Sequence, residues 1–239
     1  MPTQLEQAIK KSSDQYLKDL DGAEQFLTNI SKQESSFGKN TNDSPTGATG
    51  VWQFLNSTWR DYDVKYRQAK DAPLEVQTDV AAKYVRDLYK RYSGDKSAVM
   101  IAYGTGDTVA KRFVKFQKDY DSFTAIKKAI EESVSSGEWD KKFANNRKHF
   151  GPDRVSGASK LLQEITPHLN HTLGTKYSAK GYAPREVGLK GQVKDSKDSL
   201  ALQFFKQTTI VKKELFTDIT TCLKDVNGPA RLRKLLHMS

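Results

Sequence analysis

The sequence predicts an all-α protein, and three observations carry that expectation. Apolar residues recur three and four apart through most of the first 150 residues, the spacing of an amphipathic helix. Runs of alternating β-branched and aromatic residues, the mark of strands, are scarce. Proline, glycine and short polar residues fall between the periodic stretches, where helices start and stop.

Taken in order, Leu5, Ile9, Tyr16, Leu17 and Leu20 share one face and predict a first helix. A second is expected from about Gly22 to Glu34, with Phe26, Leu27 and Ile30 turned inward. The next stretch, SFGKNTNDSPTGATG, is rich in Gly, Ser, Asn and Pro and predicts an ordered loop or a short hairpin. Asn56-Ser57-Thr58 offers a cap for a helix beginning near Trp59. Pro73 stands where a helix can begin, since the first turn leaves its N–H unused in any case. Val76, Val80, Tyr84, Val85, Leu88 and Tyr92 follow at helical spacing. Further helices are expected at 95–103, 107–119, 122–135 and 138–149, and the helical domain closes near residues 150 to 170.

After that the pattern changes. HTLGTKYSAKGYAPREVGLKGQVKDSKDS has little periodicity and reads as an extended or disordered arm. A last helix is expected from Leu200 to Leu223, with Phe204, Phe205, Ile210, Val211, Leu215 and Ile219 apolar, before the basic end ARLRKLLHMS. The division is therefore a helical domain over 1–170 and a basic arm with a terminal helix over 171–239. No internal repeat is evident.

Composition narrows the classes. With 36% hydrophobic and 28% charged residues, no stretch approaches a membrane span. MPTQLEQAIKKSSDQYLKDL lacks an apolar core, so no signal peptide is expected. Cys222 is the only cysteine, which excludes an internal disulfide and fits a buried structural thiol. The net charge of +10 is uneven, with 14 Lys and Arg against 7 Asp and Glu from Ser156 onward. Such a balance suits nucleic acid, a membrane surface or a bacterial cell wall. Nucleic acid is disfavoured because the basic residues are not interleaved with stacking aromatics.

The chemistry concentrates between Ile30 and Trp59. Glu34 falls at the end of a helix whose apolar face should bury it, beside a glycine-bearing loop and Val51-Trp52-Gln53-Phe54. A carboxyl in such a setting keeps its proton nearer neutral pH, as a general acid must. Glu34-Ser35-x-Phe37 is followed by Gly47-Ala48-x-Gly50-x-x-Gln53, Thr58, and later Ala102-Tyr103-Gly104-x-Gly106. This ordered set resembles the soluble lytic transglycosylase family and its goose-type lysozyme relatives, over roughly residues 20 to 150. DAPLEVQTDVAAKYVRDLYKRYSGDKSAVMIAYGTG also resembles the family's helix and the segment leading to its Ala-Tyr motif.

The resemblance implies a lysozyme-like fold and cleavage of peptidoglycan glycan strands without metal or cofactor. It makes Glu34 the catalytic acid, with Ser35, Gly50, Gln53 and Tyr103 at the substrate. Gly47 and Gly50 would let backbone approach a sugar, and Gln53 would bond its hydroxyl or acetamido groups. Ser35 bonds substrate or the carboxylate, or serves as a turn serine. Tyr103 and Trp52 offer flat faces to sugar rings, although Trp52 equally suits the core.

Two departures from the family stand out. Gly104 replaces an asparagine, and the motif that supplies a tyrosine near the acid is unclear, with His149 or Phe150 in NNRKHFGPDRV as its nearest match. The family manages with one carboxylate, and the product is a 1,6-anhydro ring. Asp43, Asp61 and Asp63 are the nearest candidates for a second carboxylate, and Asp43 could hold a water and make the reaction hydrolytic. His168 and His171 lack the further ligands that a zinc site needs. An enzyme without a signal peptide but with a basic helical arm fits a phage virion protein that opens the wall at entry, the arm docking to other virion proteins. The alternatives are an endolysin that reaches the periplasm from the host cytoplasm, a bacterial secretion-system transglycosylase, which the absent signal disfavours, and a structural virion protein whose lysozyme-like domain is inactive.

Overall fold

Thr3 and Glu6 open the first helix reciprocally. The Thr3 hydroxyl accepts from the Glu6 N–H at 3.2 Å, and the Glu6 carboxylate accepts from the Thr3 N–H at 2.7 Å. This capping box starts α1, Gln4–Tyr16, in the computed structural model, which describes residues 2–180 and Tyr182. The helix ends short of the expected Leu20, yet Leu17 and Leu20 are both buried in the turn that follows. Gly22 then takes a left-handed φ of 70° and starts α2, Ala23–Ser35, which buries Phe26, Leu27 and Ile30. Burial of each such side chain is worth about 1.5–3 kcal/mol, so this face fixes how α2 is rotated.

The glycine-rich stretch after α2 holds an isolated bridge: Thr49 and Phe54 exchange both backbone hydrogen bonds at 3.0 Å around the turn 50–53. No strand forms among the described residues. α3, Asn56–Arg60, begins earlier than the expected cap allows. Leu55 takes the cap position without a side-chain bond, and Trp59 is buried, donating to the Tyr66 carbonyl at 3.0 Å.

A 3₁₀ turn at Ala69–Asp71 leads to Pro73 and α4, Leu74–Arg91. Asp95 caps α5, Lys96–Thr105, whose residues from Ala98 to Ala102 are all buried, so the helix runs through the core. α6, Asp107–Phe116, and α7, Ser122–Ser135, follow as a packed pair. The helix expected over 138–149 is instead two short ones, α8, Asp140–Asn145, and α9, Arg147–Phe150, interrupted at Asn146 with φ −126° and ψ 37°.

The largest addition to the expected fold is α10, Arg154–Leu173. Asp153 caps it, and Ala158, Leu161, Leu162, Ile165 and Leu169 form its buried stripe. It packs on α2, α5 and α7, and so stands across the end of α2. The helix runs through the expected boundary at residue 170. Beyond it Tyr177 stacks on Phe123 at 4.7 Å and the Tyr182 hydroxyl donates to Glu131 at 2.7 Å. The expected terminal helix, Cys222 and the basic end lie outside the described residues.

Candidate active site

Glu34 follows Leu27 by seven residues and Ile30 by four, so it shares their inward face. That register, set by three apolar neighbours, leaves its side chain 14% exposed. Burial pushes the carboxyl up to about 8. Its place in the last turn of α2 acts in the same direction, because the negative end of the helix dipole disfavours a carboxylate. At neutral pH Glu34 therefore carries its proton.

The turn behind Glu34 is tightly built. Ser36 and Phe37 both take left-handed backbone angles, at φ 51° and 61°. Ser35 holds them: its hydroxyl donates to the Ser31 carbonyl at 3.1 Å and accepts from the Gly38 N–H at 2.9 Å. Being 1% exposed, Ser35 reaches neither the Glu34 carboxylate nor a ligand in the cleft. The substrate role expected for it gives way to the turn role.

A cleft of about 250 Å³ opens at Glu34. One wall is the loop 44–55. Ser44 braces it, donating its N–H to the Ala48 carbonyl at 2.9 Å while its hydroxyl accepts from the Ala48 N–H at 2.8 Å. The turn 50–53 is tied to α4, where the Gln77 Oε1 accepts from the Val51 N–H at 2.9 Å and Thr78 accepts from the Trp52 indole at 3.3 Å. Gly50 faces this anchor and not the cleft. A Cβ there would lie 2.6 Å from the Gln77 Oε1, so the glycine serves close packing on α4, a correction to its expected contact with sugar. Trp52 is fully buried and belongs to the core. Gly47 is open on the surface at φ 85°.

Gln53 and Tyr103 do line the cleft. The Gln53 amide nitrogen donates to the Gly50 carbonyl at 2.9 Å and to the Asn42 carbonyl at 3.3 Å, leaving its oxygen as the group available to a ligand. The Tyr103 hydroxyl donates to the Trp52 carbonyl at 2.9 Å, so this residue offers its ring and braces the loop wall from α5. Burial, with the nearby Glu34, raises its phenol well above the ordinary value.

The opposite wall comes from α8, α9 and α10. Lys142, His149, Phe150, Glu164 and His168 all face the same cleft as Glu34. The His149 Nε2 is paired closely with the Glu164 carboxylate. His168 places its Nδ1 3.5 Å from the Glu34 Oε1. Burial pushes that imidazole down to about 4, with His171 adding to the effect. The two groups therefore meet as a neutral acid and a neutral base, not as an ion pair. Burial also lowers Lys142, whose ammonium lies 4.1 Å from the centre of the Trp139 ring.

Sequence reasoning placed Glu34, Gln53 and Tyr103 together and offered His149 or Phe150 as the nearest match to the motif beside the acid; both line the cleft. It missed Glu164 and His168 as site residues. The signal was there: Ala158, Leu161, Leu162, Ile165 and Leu169 repeat at helical spacing, and Glu164 and His168 sit one turn apart beside that stripe. None of the aspartates considered lines the cleft. Asp43 is exposed and bonded to Lys70 at 2.7 Å, Asp63 caps the Lys65 and Tyr66 N–H groups, and Asp61 ends α3. Gly104 lines the cleft where the family has asparagine, and a Cβ there would lie 2.9 Å from the Ile165 Cδ1. The space for a larger side chain is thus taken by α10.

Among the described residues no helix is long and apolar enough to cross a membrane. Residues 11–126 match the family profile described as the Transglycosylase SLT domain, a span that contains Glu34, the turn 50–53 and Tyr103 but stops before α8. Two curated relatives, the Membrane-bound lytic murein transglycosylase D of Escherichia coli K12 and that of the O6:H1 strain CFT073, are each 31% identical over 87 residues. The match covers 36% of this chain and 19% of each relative, so the chain corresponds to about a fifth of their length. No solved structure matches. The helical architecture agrees with the all-α, lysozyme-like domain expected from the sequence.

Proposed function

We propose that this chain cleaves peptidoglycan glycan strands as a lytic transglycosylase, with Glu34 as the general acid. The observation that carries the reading is the Glu34 carboxyl itself, buried by the inner face of α2, protonated at neutral pH and open to a cleft. The match of residues 11–126 to the SLT domain supports the substrate class.

Glu34 would protonate the oxygen of the bond joining N-acetylmuramic acid to N-acetylglucosamine, and that bond would break. The 2-acetamido oxygen of the muramic ring would stabilise the cation developing at C1. Ionised Glu34 would then take the proton of the C6 hydroxyl as that oxygen bonds to C1. The ring closes as a 1,6-anhydro product, no water is consumed, and Glu34 regains its proton. The Gln53 oxygen would accept from an acetamido N–H or a sugar hydroxyl, and the Tyr103 ring would support a pyranose face.

Glu164 favours a second reading. It is a second carboxylate in the same cleft, and two carboxylates facing one glycosidic bond can activate water. Delivery on a phage particle is the remaining part of the proposal, supported by the basic balance from Ser156 onward.

Glu34→Gln keeps the size of the side chain and removes the acid. Cleavage of purified sacculi should fall at least ~100-fold with the circular dichroism unchanged. Near wild-type turbidity loss would sink the assignment. Mass spectrometry of the released muropeptides decides between an anhydro and a reducing end. The same method applied to purified particles tests delivery.

A further inference from the structure

His168 brings an imidazole nitrogen to the Glu34 carboxyl from α10, and the glycan reaction as described leaves it unused. Its side chain is 15% exposed, and it lines the cleft. Its Nδ1 is buried, lies 3.5 Å from the Glu34 Oε1, and makes no hydrogen bond. The ring is therefore oriented with one nitrogen toward the acid and its exposed side toward the cleft.

We infer that His168 is the positioning residue of the acid: its Nδ1–H donates to the Glu34 Oε1 and leaves the acidic proton on Oε2, aimed into the cleft. The inference rests on the reading of Glu34 as the acid. The opposite tautomer would accept the Glu34 proton at Nδ1 and turn it away from any substrate. In the tautomer inferred here the unprotonated Nε2 is the nitrogen left to cleft water.

As Glu34 ionises, the bond from Nδ1–H becomes charge-assisted and shortens, so it stabilises the state that follows proton transfer. Burial keeps the ring neutral at pH 7, so it donates a hydrogen bond without supplying a full charge. Without that restraint an imidazolium would ionise Glu34 in advance. The other ionisable groups around the pair are Glu164 and His171 on α10, His149 on α9, Lys142 on α8 and Tyr103 on α5. His149 is occupied with Glu164, and the Tyr103 hydroxyl with the Trp52 carbonyl. His168 keeps an unbonded nitrogen beside Glu34 with which to answer a change of its charge.

Two measurements on the full chain test this. Nitrogen NMR of the wild-type histidines should show His168 protonated at Nδ1 at pH 7; protonation at Nε2 alone would overturn the inference. His168→Phe keeps a ring and removes the donor, whereas the amide nitrogen of His168→Asn reaches the place of Nδ1. In H168F the Glu34 carboxyl should titrate at higher pH, and kcat at pH 7 should drop about 10- to 100-fold with KM within about 2-fold. H168N should stay within about 5-fold of wild type. A wild-type Glu34 titration in H168F, or equal losses in both variants, would also overturn it. The NMR readouts need no turnover, so they report the contact even if Glu34→Gln retains activity and the proposed reaction fails.

Discussion

The two walls of the cleft are made of different materials. The loop wall presents backbone, one amide oxygen, the Ser44 and Thr46 hydroxyls and apolar side chains, and its turn 50–53 is fastened to α4 and α5. The α10 wall presents imidazole, carboxylate and ammonium groups carried on helices. One wall fixes shape and the other fixes charge. Glu34 stands between them because α2 is rotated by Phe26, Leu27 and Ile30 and not by anything in the cleft. Shape on one side and protonation on the other can therefore be perturbed separately.

The loop wall should break most severely. Gly50→Ala puts a Cβ 2.6 Å from the Gln77 Oε1, at a φ of 81° that a side chain resists. Gln77 must then release the Val51 N–H, so the variant should lose about 3 kcal/mol of stability in urea unfolding, from backbone strain plus a stranded donor. A loss below about 1 kcal/mol would mean that the anchor on α4 does not hold this wall.

The charge side predicts a gain. Glu34 binds its proton more tightly folded, at about 8, than in the unfolded chain, where its ordinary value is 4.5. Between those values the native state holds more protons, so stability falls as pH rises through the window and stays low above it. Glu34→Gln removes that slope. At pH 8 the variant should be more stable than wild type by about 2 kcal/mol or more, and at pH 4 the two should nearly coincide. His168 acts oppositely. Its folded value near 4 lies below its ordinary 6.5, so stability is lost as pH falls from 6.5 toward 4. That slope is common to both proteins and cancels in their difference. Parallel stability curves would show that Glu34 is not held protonated.

The smallest effect separates the turn from the cleft. Ser35→Ala removes the oxygen that accepts from the Gly38 N–H and should cost about 1 kcal/mol. Cleavage per folded molecule should remain within about 3-fold, since the hydroxyl does not reach the cleft. A loss like that of Glu34→Gln would restore Ser35 to the substrate.

Legibility followed distance along the chain. Glu34, Gln53 and Tyr103 were readable because each sits in a short motif whose local geometry is nearly self-contained. Gly50 was recognised as necessary but given the wrong neighbour, because glycine records that space is needed and not what fills it. The interruption at Asn146 left no mark in the apolar spacing. Glu164 and His168 had helical spacing around them, yet nothing local says which surface that helix covers.

By itself, then, the sequence determined most of the helices before residue 138, their inward faces, and the register that turns Glu34 inward. These are properties of a few consecutive residues, where periodicity and backbone preference act directly. Tertiary structure alone decided that α10 lies across the end of α2, that Ile165 fills the space beside Gly104, and that His168 meets Glu34. It also decided how firmly the proton is held, because burial of a carboxyl is a sum over neighbours from distant parts of the chain, and a local pattern gives only its direction.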